Sequence, residues 1–154
     1  MITIRFVSHP GVFDWACKIA QYGFWATHCD AVLPDGRLLG ARFSGGVQAR
    51  AANYDLGGFS KQLLVSIPAT EDQESLFYDF LQSQIGKPFD WQAILTFYFQ
   101  RDWQAPDSWY CDELLAAGLA ACGIFPQRLA LNFNRISVRD LLLLVSTLTA
   151  VDNV

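Results

Sequence analysis

Apolar and polar residues along the chain alternate first with the period of strands and then with the period of helices. Ile2 to Val7 predict a first strand, and Phe13 to Ala20 a short helix with Phe13, Ala16, Cys17 and Ala20 on one face. Thr27 to Leu33 and Leu38 to Phe43 predict two strands joined by Pro34-Asp35-Gly36-Arg37, a tight turn. Val47 to Ala52 follow as a short strand after Ser44-Gly45-Gly46, and Gln62 to Pro68 as another that its proline closes. From Thr70 the period becomes helical. Thr70 and Gln73 fit a capping box, and the helix runs to about Ile85 with Leu76, Phe77, Phe80, Leu81 and Ile85 inward. Gly86 to Trp91 break it, Ala93 to Phe99 predict a short apolar helix, and Arg101 to Asp107 a polar linker. An Ala- and Leu-rich helix follows, with Ser108 as candidate N-cap, Cys111 in its first turn and Gly123 ending it. Asn132 to Val138 read as irregular, and Ser137 caps a last helix containing Leu141 to Leu144. The pattern mixes strands and helices in a chain of a length expected to fold as one domain over residues 1–154.

Composition narrows the function. Hydrophobic residues make up 52% and charged residues 17%, so the chain can bury a core and is not of the disordered class. The net charge is −4 and no Lys/Arg run occurs, which argues against nucleic acid as a partner. The N-terminus lacks a charged segment followed by a long apolar one, and the longest apolar run, Leu141 to Val151, is too short to span a bilayer. The four cysteines make no CxxC pair, and the chain has two histidines, so neither a metal site nor a cofactor is expected. Reduced thiols in a cytoplasm are the expectation.

The candidate chemistry begins at Cys111. A helix N-terminus offers free N–H groups and the positive end of the helix dipole, both of which favour thiolate over thiol. A nucleophilic cysteine also needs a base. His28 lies on a predicted strand, whereas His9 lies in a Pro-Gly loop and reads as a solvated surface residue. Strand alternation puts His28 and Asp30 on one face and Cys29 on the other, which counts against a metal site on that triplet. Cys17, Cys29 and Cys122 read as core residues. Asp112 and Glu113 are explained by compensation of the helix dipole. Arg42 and Arg50 flank the Gly45-Gly46 turn, either in salt bridges or facing an acidic substrate group.

The segments Thr27-His28-Cys29-Asp30, Gly40-Ala41, Gly45-Gly46-Val47, Gly86-Lys87-Pro88-Phe89-Asp90-Trp91 and Trp109-Tyr110-Cys111-Asp112-Glu113-Leu114 occur in that order. Together they resemble the circularly permuted branch of the NlpC-type papain-like cysteine peptidases and amidases. In that branch the histidine strand precedes the cysteine helix. The resemblance implies a papain-like α+β fold, with a small antiparallel sheet packed against the helix carrying the cysteine. By position it implies Cys111 as nucleophile and His28 as general base, acting through a thioester intermediate. The orienting residue of the common pattern falls at Gly40, which has no side chain, so Asp30 is the substitute; a dyad assisted by a backbone carbonyl or water is the other arrangement. Tyr110 is either an oxyanion contributor or, with Trp109, a wall residue. In the Gly86–Trp91 segment, Asp90 reads as a helix cap and Trp91 as core.

The expected activity is a cysteine hydrolase or acyltransferase on a peptide or a lipid-like amide or ester, with cell-wall peptides among the candidates and a bacterial or phage setting. The competing expectation is a non-catalytic binding or structural module of the same shape, favoured by Gly40.

Overall fold

The computed structural model describes residues 1–90, 107–125 and 136–149. Five strands, β1 (Ile2–Ser8), β2 (His28–Val32), β3 (Leu38–Arg42), β4 (Gly46–Arg50) and β5 (Lys61–Ile67), form one sheet of order β4-β3-β2-β1-β5 with all neighbours antiparallel. The four helices among the described residues are α1 (Val12–Ala20), α2 (Glu71–Ser83), α3 (Cys111–Ala121) and α4 (Val138–Ser146). The chain is therefore a mixed α+β fold around a small antiparallel sheet. The helix expected over 93–99, Trp91 and the irregular stretch up to residue 135 lie outside the described residues.

Pleating divides the sheet chemically. Ile2, Ile4 and Phe6 of β1 point to one face and are fully buried, joined there by Cys29, Ala31, Leu39, Val47, Val65 and Ile67. Helices α2 and α3 cover that face with Phe77, Leu81, Leu114, Leu115 and Leu119, each without exposed surface. Burying each such side chain contributes about 2 kcal/mol, enough to fix the strand register against a one-residue slip. The opposite face of β1 and β2 carries Arg5, His28 and Asp30, also buried. Segment 51–60 crosses it: Tyr54 and Asp55 bond to Asp30 and Arg5, and the Arg5 guanidinium lies 4.9 Å from the Phe59 ring centroid.

Local signals account for most boundaries. The Thr70–Gln73 capping box forms, with Gln73 N–H donating to Thr70 Oγ1 at 3.2 Å and Thr70 N–H to Gln73 Oε1 at 3.0 Å. Ser137 and Asp140 make the same exchange at the start of α4. Two expectations are corrected. Leu76 and Ile85 do not face inward but are about half exposed; the inward stripe of α2 is Phe77, Tyr78 and Leu81, and the helix ends at Ser83, leaving Ile85 in the following turn. The N-cap of α3 is Tyr110, not Ser108: Tyr110 adopts extended backbone, its carbonyl accepts from Leu114 N–H, and its own N–H donates to Glu113 Oε2 at 3.4 Å. In α4, Leu143 is exposed while Leu141 and Leu142 are buried.

The approach to α3 is held by the Gly86–Asp90 segment. Lys87 carbonyl accepts from Val47 N–H at 3.0 Å, and Phe89 bridges Trp109, with Trp109 N–H donating to Pro88 O at 3.1 Å and Asp90 N–H to Trp109 O at 3.0 Å. Residues 86–90 thereby clamp the β3–β4 hairpin to the residues just before Cys111. Gly46 permits this: its φ is +64°, and a Cβ there would lie 2.2 Å from Lys87 O. Gly46→Ala is expected to lower unfolding stability by about 2 kcal/mol or more in urea titration; a change within about 0.5 kcal/mol would show that the hairpin and clamp shift freely.

Candidate active site

Cys111 is the first residue of α3 and His28 the first of β2, and both line one cleft of about 380 Å³. The two groups act on each other: Cys111 raises the His28 imidazole and the His28 charge lowers the Cys111 thiol. His28 Nε2 lies 2.9 Å from Asp30 Oδ1, which leaves Nδ1 as the ring nitrogen for Cys111. With its Nε2–H donated to the carboxylate, neutral His28 presents a lone pair at Nδ1 to the thiol. Asp30 is held in turn: its Oδ2 accepts from the Tyr54 hydroxyl at 2.9 Å and lies 3.5 Å from Arg5 Nη1, and Asp30 and Arg5 are register partners across β2 and β1. Arg5 is fixed by a bidentate pair to Asp55, at 2.9 and 3.0 Å, and by Gln62 Oε1 at 2.7 Å.

The charges follow from these contacts. Burial alone would raise the Asp30 carboxyl, but the His28 charge and hydrogen bond and the Tyr54 hydroxyl outweigh it and hold it at about 2. Burial would likewise lower His28; Asp30 and Cys111 overcome it and raise the imidazole to about 9. Burial pushes the Cys111 thiol up, yet hydrogen bonds from Cys29 and His28 and the His28 charge bring it well below its ordinary value. The favoured state at neutral pH is a thiolate–imidazolium pair.

Gly40 occupies the place of the missing polar residue for a steric reason. A Cβ at 40 would stand 2.3 Å from Asp30 Oδ1 and 3.2 Å from Cys29 O. The Asp30 carboxylate fills the space that a side chain from β3 would need. Adjacent same-face side chains leave their strand in parallel, yet the longer histidine reaches back to the carboxylate.

The remaining candidates fall elsewhere. Tyr110 lines the cleft with its ring, while its hydroxyl lies 3.5 Å from Cys17 Sγ and its N–H serves Glu113. His9 is not a solvated loop residue: it is buried, and its Nε2–H donates to Asp55 at 3.0 Å, so the approach of Arg42 Nη2 to the same nitrogen at 3.2 Å is a contact rather than a second bond. Among the described residues Arg50 does not reach a carboxylate; it donates to the carbonyls of Gly40, Ser44, Gly46 and Gln48 and ties the hairpin together. Cys29 is core, as expected, but both its thiol and its backbone meet Cys111. Asp112 departs from the dipole explanation. It is fully buried, its Oδ2 is unpaired among the described residues, and burial beside Cys111 pushes its carboxyl well up. Sequence reasoning missed Arg5, Tyr54 and Asp55 as supports of the site. The signal was slight: a lone arginine amid the apolar residues of a central strand needs an acidic partner.

Among the described residues no group of three or more His, Cys, Asp or Glu is arranged to hold a metal ion, and no helix is long and apolar enough to cross a membrane. No protein-family model matches the chain, and no curated protein matches it.

Two outcomes test the geometry. Gly40→Ala should displace Asp30 and drop the His28 pKa from about 9 toward the ordinary 6.5, read from ring-proton NMR titration; an unmoved titration would show that Asp30 does not need that space. Asp30→Asn should lower stability most between about pH 4 and 6.5. The depressed Asp30 pKa makes its contribution present above the unfolded value near 4 and lost as pH falls toward 2, while the raised His28 pKa makes its contribution full below 6.5 and lost as pH rises through 9. The wild-type advantage in urea titrations should therefore shrink by roughly 2 kcal/mol toward pH 2, and a pH-independent difference would contradict the pairing.

Proposed function

We propose that the protein is a cysteine hydrolase or acyltransferase of the permuted NlpC-like, papain-like type. The observation that carries this reading is the relay Cys111–His28–Asp30, with the thiol and the imidazole opening on the cleft. With the Cys111 proton already held on His28 in the resting ion pair, the thiolate attacks the carbonyl carbon of an amide or ester. The tetrahedral oxyanion is held by backbone N–H at the start of α3, that of Cys111 first among them. The imidazolium returns its proton to the leaving amine or alcohol, giving a thioester on Cys111. Water, or an acceptor hydroxyl or amine, then attacks that thioester with His28 as base. Asp30 orients the ring and stabilises the imidazolium formed in each half-reaction.

The cleft walls suit a peptide or lipid-like acyl group. Phe43, Phe89 and Tyr110 give it an apolar side, and Thr27, Arg42 and Tyr54 a polar one. A cleft of this size accommodates a small substrate.

One observation favours the competing reading of a non-catalytic module: Cys111 is only 2% exposed and His28 7%. Thiol chemistry separates the two. With iodoacetamide at pH 6 to 7, Cys111 should be alkylated at least about tenfold faster than Cys17, Cys29 or Cys122, and His28→Ala should slow it by about tenfold or more. Against a panel of fluorogenic amides and esters, Cys111→Ala should abolish turnover and Asp30→Asn should lower kcat/KM by about 10²-fold or more. Slow and equal reaction of all four thiols in the folded protein would defeat the enzyme reading.

A further inference from the structure

The relay does not use Asp112, although its Oδ1 lies 3.5 Å from Cys111 Sγ, within hydrogen-bond reach of the reactive sulfur. Asp112 has no exposed surface, and its Oδ2 has no hydrogen-bond partner among the described residues. The titratable groups that act on it or feel its charge are Cys17 of α1, Cys29 of β2, and Tyr110, Cys111 and Glu113 at the start of α3. None of them supplies a positive charge. An ionised carboxylate here would be out of water, half-unpaired and next to a thiolate, and each of these circumstances favours the neutral acid.

We propose that Asp112 is held as a neutral carboxylic acid whose O–H donates to the Cys111 thiolate, making it a positioning residue that stabilises the nucleophile from the protein side while His28 does so from the cleft side. This rests on the reading of Cys111 as a nucleophile. The assignment separates the two carboxyls nearest the reaction: Asp30, surrounded by donors and cations, is the charged one, and Asp112, surrounded by thiols, a phenol and a carboxylate, is the neutral one. The raised proton affinity of Asp112 agrees with this, burial being its largest cause and the Cys111 charge the next. No net proton is consumed. In the resting state the acid hydrogen sits between Asp112 and the sulfur, and when the sulfur is acylated its hydrogen bond to that proton weakens without transfer.

The sign of a pKa change tests the assignment. The pH dependence of Cys111 alkylation, followed by peptide mass spectrometry, gives the thiol pKa in wild type, Asp112→Asn and Asp112→Leu. A neutral donor requires that Asp112→Asn, which keeps an N–H toward the sulfur, leave the Cys111 pKa within about 0.5 unit, and that Asp112→Leu raise it by about one unit or more. A charged Asp112 requires the opposite: both variants lose a repulsive charge and the Cys111 pKa falls. A pKa that does not move in Asp112→Leu would also overturn the proposal. Should Asp112→Leu not fold, the urea midpoints of wild type and Asp112→Asn across pH 5 to 8 decide. A carboxyl whose folded pKa is raised contributes stability fully below its unfolded value and loses it as pH rises, so Asp112→Asn should gain on wild type as pH increases; a constant gap overturns the proposal. A wild-type Cys111 pKa at the ordinary value near 8.5 would instead sink the proposed function, whatever the variants show.

Discussion

The structure depends on keeping one carboxylate, that of Asp30, charged in the interior. Isolated, such a group would cost far more than its strand contributes, and it would take up a proton instead. Here it has three partners from three different parts of the chain: His28 two residues before it, Tyr54 from segment 51–60, and Arg5 across the ladder from β1. Each partner imposes a further constraint. Arg5 must itself be neutralised, which brings in Asp55 and places segment 51–60 over the sheet. The carboxylate needs volume, which forbids a side chain at position 40. The buried charge thus fixes strand register, the loop that covers it and the identity of a residue on the neighbouring strand.

The sheet separates two environments a few ångströms apart. Its apolar face packs under α2 and α3 and is filled by Ile2, Ile4, Phe6 and the leucines of α3. Its polar face holds the buried charges. Cys111 stands at the start of α3, where the helix's free N–H groups meet the first residues of β2, and so it touches both: the Cys29 thiol and backbone belonging to the apolar side, and the His28 ring belonging to the polar side. That position gives the sulfur donors on one side and a cation on the other, which is the combination that lowers a thiol's proton affinity despite burial.

The Gly86–Asp90 segment shows how a local feature acquires a tertiary role. Along the sequence it is a helix break. In the fold it hydrogen-bonds to Val47 on one side and to Trp109 on the other, so the hairpin and the start of α3 are positioned together. The placement of Cys111 relative to β2 therefore rests on this clamp as well as on the packing of α3.

By itself the sequence determined the strands and the helices α2 and α4 with their capping boxes, because these follow from periodicity and from contacts within four residues; the pairing of Cys111 with His28 was implied by the order of the motifs and their resemblance to a family. It also marked Asp30 as a candidate, since i and i+2 share a strand face. It could not assign the N-cap of α3, because Tyr110 caps through its backbone geometry rather than through a short polar side chain. His9, Arg5, Tyr54 and Asp55 became parts of one buried network because their partners lie 24 to 50 positions away, and Asp112 became an interior acid instead of a dipole-compensating surface charge because the start of α3 is packed out of water. Burial and pairing of a charge are properties of the whole packed chain, and only the tertiary structure decided which carboxyl keeps its charge and which is driven to lose it.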